Sequence, residues 1–264
     1  MAEGLPLSAV VVTFHTGPVL WQCLDALLAC PDLAEIVIVD NGNPEADAHR
    51  LDAFARGNSQ VRLVQGQGNV GFARGCNLGA ATACGRALLF LNPDCVIALG
   101  AGRALLSALQ QRKRAPLVLG GRILNVDGSE QRGGRRDTMT LWRAVVSFSG
   151  LSRLGGQLAL LRDLHRERDP VPERPISVGA VSGAMLCLLR EDFERLGGFD
   201  EGYFLHVEDL DICRRAHEAG GDVWFVPDAT ARHARSTSDV TTVFVEQHKA
   251  RGFNRYFRKF AKGP

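Results

Sequence analysis

The chain has 264 residues, 45% of them hydrophobic and 23% charged, the composition of an ordinary globular protein of one or two domains. Its 31 Lys/Arg against 29 Asp/Glu leave a formal charge of +2, which excludes a wholly basic nucleic-acid binder. No run of about 18 apolar residues suggests a transmembrane helix, and Met1-Ala2-Glu3-Gly4 lacks the basic start of a signal peptide. Seven cysteines form an odd set with no CxxC pair; that argues for reduced thiols in a cytoplasmic protein, against a disulfide framework or structural zinc.

In chain order, the β-branched run 7–14 predicts a buried parallel strand. A helix is expected from Pro18 to Cys30, stopped by Pro31. Strand 35–40 ends in the turn signal Asn41-Gly42, helix 49–56 follows, and Val61–Val64 reads as a third strand. After the glycine-rich stretch 66–75, a helix to about Gly85 leads into strand 87–91. Strands alternating with helices indicate an α/β domain with a mainly parallel sheet.

The second half differs in texture. Residues 103–143 hold nine Lys/Arg against three acids, a local +6, and five glycines make part of it read as loop. Residues 138–165 read as amphipathic helix, with Trp142, Val145, Val146, Phe148 and Leu151 as its apolar side, and 169–175 as a linker. A strand over 178–189 returns to the sheet. Residues 191–222 hold ten acids against three arginines, a local −7. A last strand, 223–226, precedes a terminal helix over 243–262.

Ligands of parallel α/β sheets bind at the carboxyl ends of strands. There lie Thr13 and His15, Asp40 and Asn41, and Asn92-Pro93-Asp94. A lone aspartate in such a place is more often a turn cap than a ligand; three polar groups in succession weaken that reading. Gly66-Gln67-Gly68-Asn69-Val70-Gly71 has GxGxxG spacing, but it follows the third strand, whereas the dinucleotide fingerprint follows the first. Arg74 could grip a phosphate. Asp94 suits a hard cation on a diphosphate, which needs only one or two protein carboxylates. Glu208 and Asp209 fall in the first turn of an expected helix, as adjacent candidates for a general base. Asp211 and Arg215 form an i,i+4 pair of structural character. His233, read as lying on a loop after the last strand, could be a metal or phosphate ligand.

The ordered set Val10–Phe14, Val39–Gly42, Asn69–Asn77, Phe90–Asp94, Val181–Ala184, Gly198–Glu201 and Glu208–Asp211 resembles family 2 glycosyltransferases, in particular bacterial rhamnosyltransferases of O-antigen and cell-envelope glycan synthesis. The resemblance implies a GT-A fold: Rossmann-like, with a mainly parallel central sheet, helices on both faces, a mixed α+β acceptor half and a C-terminal helix. One domain is expected over 1–264, with a nucleotide-sugar half (1–100), an acceptor and catalytic half (101–238) and a basic amphipathic helix (239–264). It further implies an inverting enzyme using Mg²⁺ or Mn²⁺, a dTDP- or UDP-sugar donor (dTDP-rhamnose foremost) and a glycan or polyprenyl-diphosphate-linked acceptor. By position, Thr13 lies by the nucleoside, Asp40 bonds the base, and Arg74 lies near the base or phosphates. Asn92-Pro93-Asp94 stands in place of the family's DxD, departing from it at Asn92. Asp94 becomes the metal carboxylate, His233 matches a metal histidine of some members, and Asp209 matches the catalytic base, with Glu208 beside it.

Two other classes compete: a nucleotidyltransferase acting on a sugar phosphate, and a non-catalytic, glycan-binding degenerate transferase. In the terminal helix, Phe253, Tyr256, Phe257 and Phe260 share one face among six basic residues of 249–262. That face either packs on the domain or docks on anionic membrane, which would place the enzyme peripherally at the inner face of the cell membrane.

Overall fold

In a computed structural model of the protein, residues 5–151, 163–234 and 240–261 are described. Strands β1 (Leu7–Thr13), β2 (Leu33–Asp40), β3 (Val61–Val64) and β4 (Ala87–Leu91) form where the apolar runs place them, as do helices α1 (Val19–Leu28) and α3 (Phe72–Thr82). Helix α2 (Glu45–Gly57) starts four residues before His49, because Glu45 and Asp47 put carboxylates in its first turn behind Pro44. These four strands pair in parallel, in the order β3-β2-β1-β4. Both faces are buried: Ala9, Val11, Ile36 and Ile38 pack in one core layer, and Val10, Val12, Val37 and Val39 in the other. Full burial explains why these strands read as continuous apolar runs rather than alternations.

The basic stretch is more ordered than its glycines suggest. It contains α4 (Ala101–Gln110), β6 (Leu117–Leu124), the short β7 (Arg135–Arg136) and α5 (Leu141–Ser149), preceded by β5 (Cys95–Ile97). Gly120 and Gly121 of β6 look like a turn but lie within the sheet; a methyl on Gly120 would collide with Val181, and one on Gly121 with Met185. The helix expected over 138–165 forms over Leu141–Ser149, where Val146 is buried but Trp142 and Val145 are exposed. Residues 152–162 and the Phe148 side chain lie outside the description.

The strand expected over 178–189 is broken into β8 (Ile176–Ser177), β9 (Ala180–Val181) and β10 (Met185–Leu189), followed by α6 (Arg190–Arg195) and α7 (Glu208–Glu218). Its break at Ser182-Gly183-Ala184 lets the backbone turn toward the site described below. The last strand, β11 (Asp222–His233), runs well past Val226, and α8 (Thr242–Phe260) ends the described chain. A bulge between Val226 and Thr230 interrupts pairing with β6 before it resumes, and Ala231–His233 also pair with β5. His233 is thus a strand residue opposite Cys95, not a loop residue. The sheet runs β3-β2-β1-β4-β10-β6-β11-β5, with β10 antiparallel to both neighbours and β8 added on β11.

The aromatic stripe of α8 packs on the domain. Tyr256 is buried, and Phe253, Phe257 and Phe260 lie partly buried against the core layer that includes Phe199, Tyr203 and Leu210. Arg255 and Lys259 turn inward to Asp200 (2.7 and 2.8 Å), and Lys259 also reaches Asp211 (2.6 Å). All seven cysteines are free thiols, Cys84 alone being exposed. Among the described residues no helix is long and apolar enough to cross a membrane.

Helix α3 lies close on β1 and β2 because Gly75 and Gly79 face the sheet, where a methyl on Gly79 would strike Val10 and Val39. Its C-terminal carbonyls are closed by Arg190, which donates to Ala80 O, Ala83 O and Gly85 O (2.9, 2.6 and 3.0 Å). Gly79→Ala should lower the melting temperature despite a helix-propensity gain of about 1 kcal/mol, since overpacking costs about 1–3 kcal/mol. Gly57→Ala, at a helical position with nothing within 4 Å of the added carbon, should be neutral or stabilising in the same melts.

Candidate active site

Three groups of polar side chains meet at the carboxyl ends of the parallel strands. The first surrounds Thr13 and Asp40, which face each other across β1 and β2. Thr13 is fully buried, its hydroxyl 3.0 Å from that of Thr16. Asp40 Oδ1 accepts from Gly42 N (3.0 Å), Asn43 N (2.8 Å) and Asn43 Nδ2 (2.8 Å), so one carboxylate oxygen caps the turn after β2. Gln67 donates to Asp40 O, and Asn41 Nδ2 to Gly71 O, tying the glycine-rich loop to the same turn. The GxGxxG spacing therefore serves loop conformation, with Gly66, Gly68 and Gly71 all at positive φ. Arg74, in the first turn of α3, is more than half exposed and meets Glu201 at 3.7 Å, a contact loose enough to be exchanged for a ligand.

The second group joins β4, β5 and the end of β11. His233 Nε2 lies 3.0 Å from Asp94 Oδ1 and 3.4 Å from Asn92 Nδ2, while Nδ1 lies 2.7 Å from Gln131 Oε1. Ligand atoms of Asp94, Cys95 and His233 lie within 4.8 Å of one another. Burial and then the Asp94 charge push the Cys95 thiol well up, and hard cations such as Mg²⁺ or Mn²⁺ favour carboxylate oxygen over sulfur. A carboxylate with an imidazole suits Mg²⁺ or Mn²⁺ when diphosphate and water complete the shell. The donor set fits such an ion.

The third group is built on α7. Its first turn follows two non-glycine residues in left-handed conformation, His206 (φ 67°) and Val207 (φ 75°). For a β-branched residue that conformation costs about 1–3 kcal/mol and persists only where the surroundings impose it. Here α8 imposes it: Gly252 packs so closely that a methyl would lie 3.0 Å from Val207. On the other side, Phe72 N donates to Phe204 O (2.7 Å), and Asn77 brackets Phe199 with two 2.9 Å hydrogen bonds. The turn aims Glu208 and Asp209 into the domain.

Their environments differ. Asp209 Oδ2 accepts from Arg136 Nη2 (2.5 Å) and Gly183 N (3.1 Å), and Oδ1 from Leu210 N (2.7 Å). Burial alone would raise its pKa, but the Arg136 guanidinium and these hydrogen bonds outweigh it and hold the carboxyl below the usual range. Glu208 Oε2 is buried with no hydrogen-bond partner. Burial, then the Asp209 charge, pushes Glu208 up to about 8. Asp211 is wholly buried and bonds Arg215, Lys259 and Tyr203, the structural role its spacing suggests. The broken strand connects the second group to the third: Asn92 N donates to Ala184 O (3.0 Å), one residue from the Gly183 N–H on Asp209.

Thr13, Asp40, Asn92, Asp94 and His233 thus lie at one end of the sheet, with Arg74, Glu208 and Asp209 in the first turns of the helices beside it. Arg136 and Gln131 escaped notice, since both sit in a stretch that reads as a basic, glycine-punctured loop. Only their partners reveal them.

Because Glu208 keeps in the folded state a proton that the unfolded chain releases near the ordinary carboxylate range, stability should fall as pH rises from about 4.5 toward 8. Glu208→Gln should remove that slope, gaining about 1–3 kcal/mol at the alkaline end. Melting temperature against pH for both proteins checks it; parallel curves would contradict the buried proton.

The family model for glycosyl transferase family 2 matches residues 8–180. The N-acetylglucosaminyl-diphospho-decaprenol L-rhamnosyltransferase of Mycobacterium tuberculosis H37Rv is 30% identical over 279 residues, spanning 95% of this chain and 83% of its own. Rhamnosyltransferase WbbL of Escherichia coli K12 is 40% identical over 52 residues, 20% of each chain. Among solved structures, GalNAc-T7 with UDP, GalNAc and Mn²⁺ superposes with a TM-score of 0.66 at 21% identity, over 89% of this chain and 44% of that one. The mannosyltransferase PcManGT of Pyrobaculum calidifontis, with GDP-Man and Mn²⁺, gives 0.64 at 15% identity, over 97% and 65%. At such identities the structures speak for the fold, while the sequence matches speak for the family. This chain belongs to glycosyltransferase family 2 and carries its GT-A fold.

Proposed function

We propose that this glycosyltransferase moves a sugar, with inversion, from a nucleoside-diphosphate donor to a hydroxyl of a glycan or polyprenyl-diphosphate-linked glycan in cell-envelope polysaccharide synthesis. Rhamnose carried on dTDP is the donor we favour, because the mycobacterial relative matching 95% of the chain is a rhamnosyltransferase. The observation that carries the reading is the approach of two groups across the Ser182–Ala184 turn: a carboxylate–imidazole pair, Asp94 and His233, and a partly buried carboxylate, Asp209, held by Arg136.

In this reading Thr13 and Asp40 lie by the nucleoside, and Arg74 exchanges Glu201 for the diphosphate. Asp94 and His233, with Asn92 beside them, would hold Mg²⁺ or Mn²⁺; when bound, that ion supplies neutralisation of the charge developing on the leaving diphosphate. Inversion needs one in-line displacement, in which the acceptor oxygen bonds the anomeric carbon as the carbon–diphosphate bond breaks. The acceptor proton passes to Asp209. Arg136 keeps Asp209 ionised and ready, at some loss of basicity, while Glu208 retains its proton and adds no second charge. The family match leaves the nucleotidyltransferase alternative without support.

Asp209→Asn should lower transfer by at least the 10²–10⁴-fold that a general base supplies while nucleoside-diphosphate binding persists. Asp94→Ala should abolish metal-dependent donor binding. Nucleotide release from a donor panel that includes dTDP-rhamnose and UDP-sugars, with calorimetry of both variants, reads these outcomes. Full activity in Asp209→Asn, or unchanged metal-dependent affinity in Asp94→Ala, would overturn the role concerned; turnover of UDP-sugars alone would remove dTDP-rhamnose.

A further inference from the structure

Gln131 has a fully engaged side chain only 3% exposed. Its backbone is pinned by Gln131 N donating to Ile123 O (2.8 Å) and Gly134 N donating to Gln131 O (3.1 Å). Its amide nitrogen donates to Asn125 Oδ1 (3.1 Å) and, more weakly, to His233 O (3.5 Å). With both acceptors at the nitrogen end, the amide oxygen must be the end that faces His233 Nδ1, at 2.7 Å. An amide oxygen only accepts, so Nδ1 carries the hydrogen.

In a neutral imidazole the other nitrogen then presents a lone pair. That lone pair faces Asp94 Oδ1 at 3.0 Å, with Asn92 Nδ2 a long 3.4 Å away. Two acceptors this close need a proton or a metal ion between them, and in the neutral Nδ1–H tautomer the pair is open to a divalent cation. The opposite tautomer, which an unconstrained histidine prefers, would point an Nε2–H at Asp94 and close the pair on itself, so an incoming ion would first have to break that bond.

We propose that Gln131 is a positioning residue for the cation site: it holds His233 in the Nδ1–H tautomer, so that Nε2 and the Asp94 carboxylate together accept a divalent cation. This rests on the reading of Asp94 and His233 as the cation pair. It assigns a purpose to the turn before β7, whose other end supplies Arg136. Buried Arg135 anchors that turn between Glu130 (2.7 Å) and the carbonyl oxygens of Asp169 and Pro170 (2.7 and 3.2 Å).

The test combines two readouts on the full chain. Long-range ¹H–¹⁵N correlation at alkaline pH without metal should show His233 as Nδ1–H in the parent protein and in Gln131→Glu, whose carboxylate also accepts from Nδ1. In Gln131→Leu it should shift to Nε2–H. Mn²⁺ titration in the presence of dTDP should show a 10–100-fold weaker affinity in Gln131→Leu, the scale on which partners of metal-ligating histidines act. Gln131→Glu should stay within a few-fold of the parent, and Gln131→Leu should add no further loss in a His233→Ala background. Should Gln131→Leu fail to fold, Gln131→Met serves the same comparison. An Nε2–H tautomer in the parent, or unchanged Mn²⁺ affinity in Gln131→Leu where Asp94→Ala weakens it, overturns the proposal alone. Unchanged affinity in Asp94→Ala and His233→Ala overturns the cation pair and the proposal with it.

Discussion

Of two adjacent carboxylates in the first turn of α7, only Asp209 meets the Arg136 guanidinium, and much of the architecture around α7 follows from that inequality. Burying an unpaired ionised carboxyl is prohibitive, while Arg136 with two backbone N–H groups satisfies Asp209 alone. Glu208, one residue earlier with no donor on Oε2, responds by keeping its proton. The two consecutive carboxyls are thereby pushed in opposite directions, Glu208 up by burial and the Asp209 charge, Asp209 down by Arg136 and its hydrogen bonds.

Holding that arrangement takes strain and counter-charge elsewhere. The left-handed turn at His206 and Val207 is kept in place by α8 through Gly252, and by the α3 loop through Phe72 and Asn77. The segment between is latched by Asp200 to Arg255 and Lys259, whose charges hold the Asp200 carboxyl down to about 2 against the effect of burial. The basic and acidic segments, whose sum conceals them in a net +2, meet one another: Arg136 finds Asp209, Arg112 finds Glu191 and Asp192, and α8 finds Asp200 and Asp211. They are internal counter-ions more than separate surfaces. The aromatic stripe of α8 is consumed in the same docking.

The first four strands were legible because they are uninterrupted apolar runs bounded by turn residues, and because polar side chains at strand ends stand out against them. Thr13, Asp40, Asn92 and Asp94 could be chosen on that ground, whereas Glu208 and Asp209 stood out as adjacent carboxylates in the first turn of an expected helix. The middle of the chain hid its structure for local reasons. Gly120 and Gly121 imitate a turn while making room for Val181 and Met185. Val178–Leu189 reads as one apolar run despite Gly179 and Ser182-Gly183, yet breaks where Gly183 must face Asp209. His233 looked like a loop residue because Pro227 obscures a strand that bulges and continues. Gln131 and Arg136 belong to no pattern of period or motif; their meaning lies in partners 102 and 73 residues away.

The division of charge between Glu208 and Asp209 is the claim on which the catalytic reading stands. Side-chain carboxyl ¹³C shifts of these two residues, followed by NMR from acid to alkaline pH in the parent protein and in Arg136→Gln, measure it directly. Asp209 should titrate below the ordinary carboxylate range and Glu208 near 8, with Asp209 moving up once Arg136 is gone. Glu208 titrating in the ordinary carboxylate range, or an Asp209 indifferent to Arg136, would contradict the account.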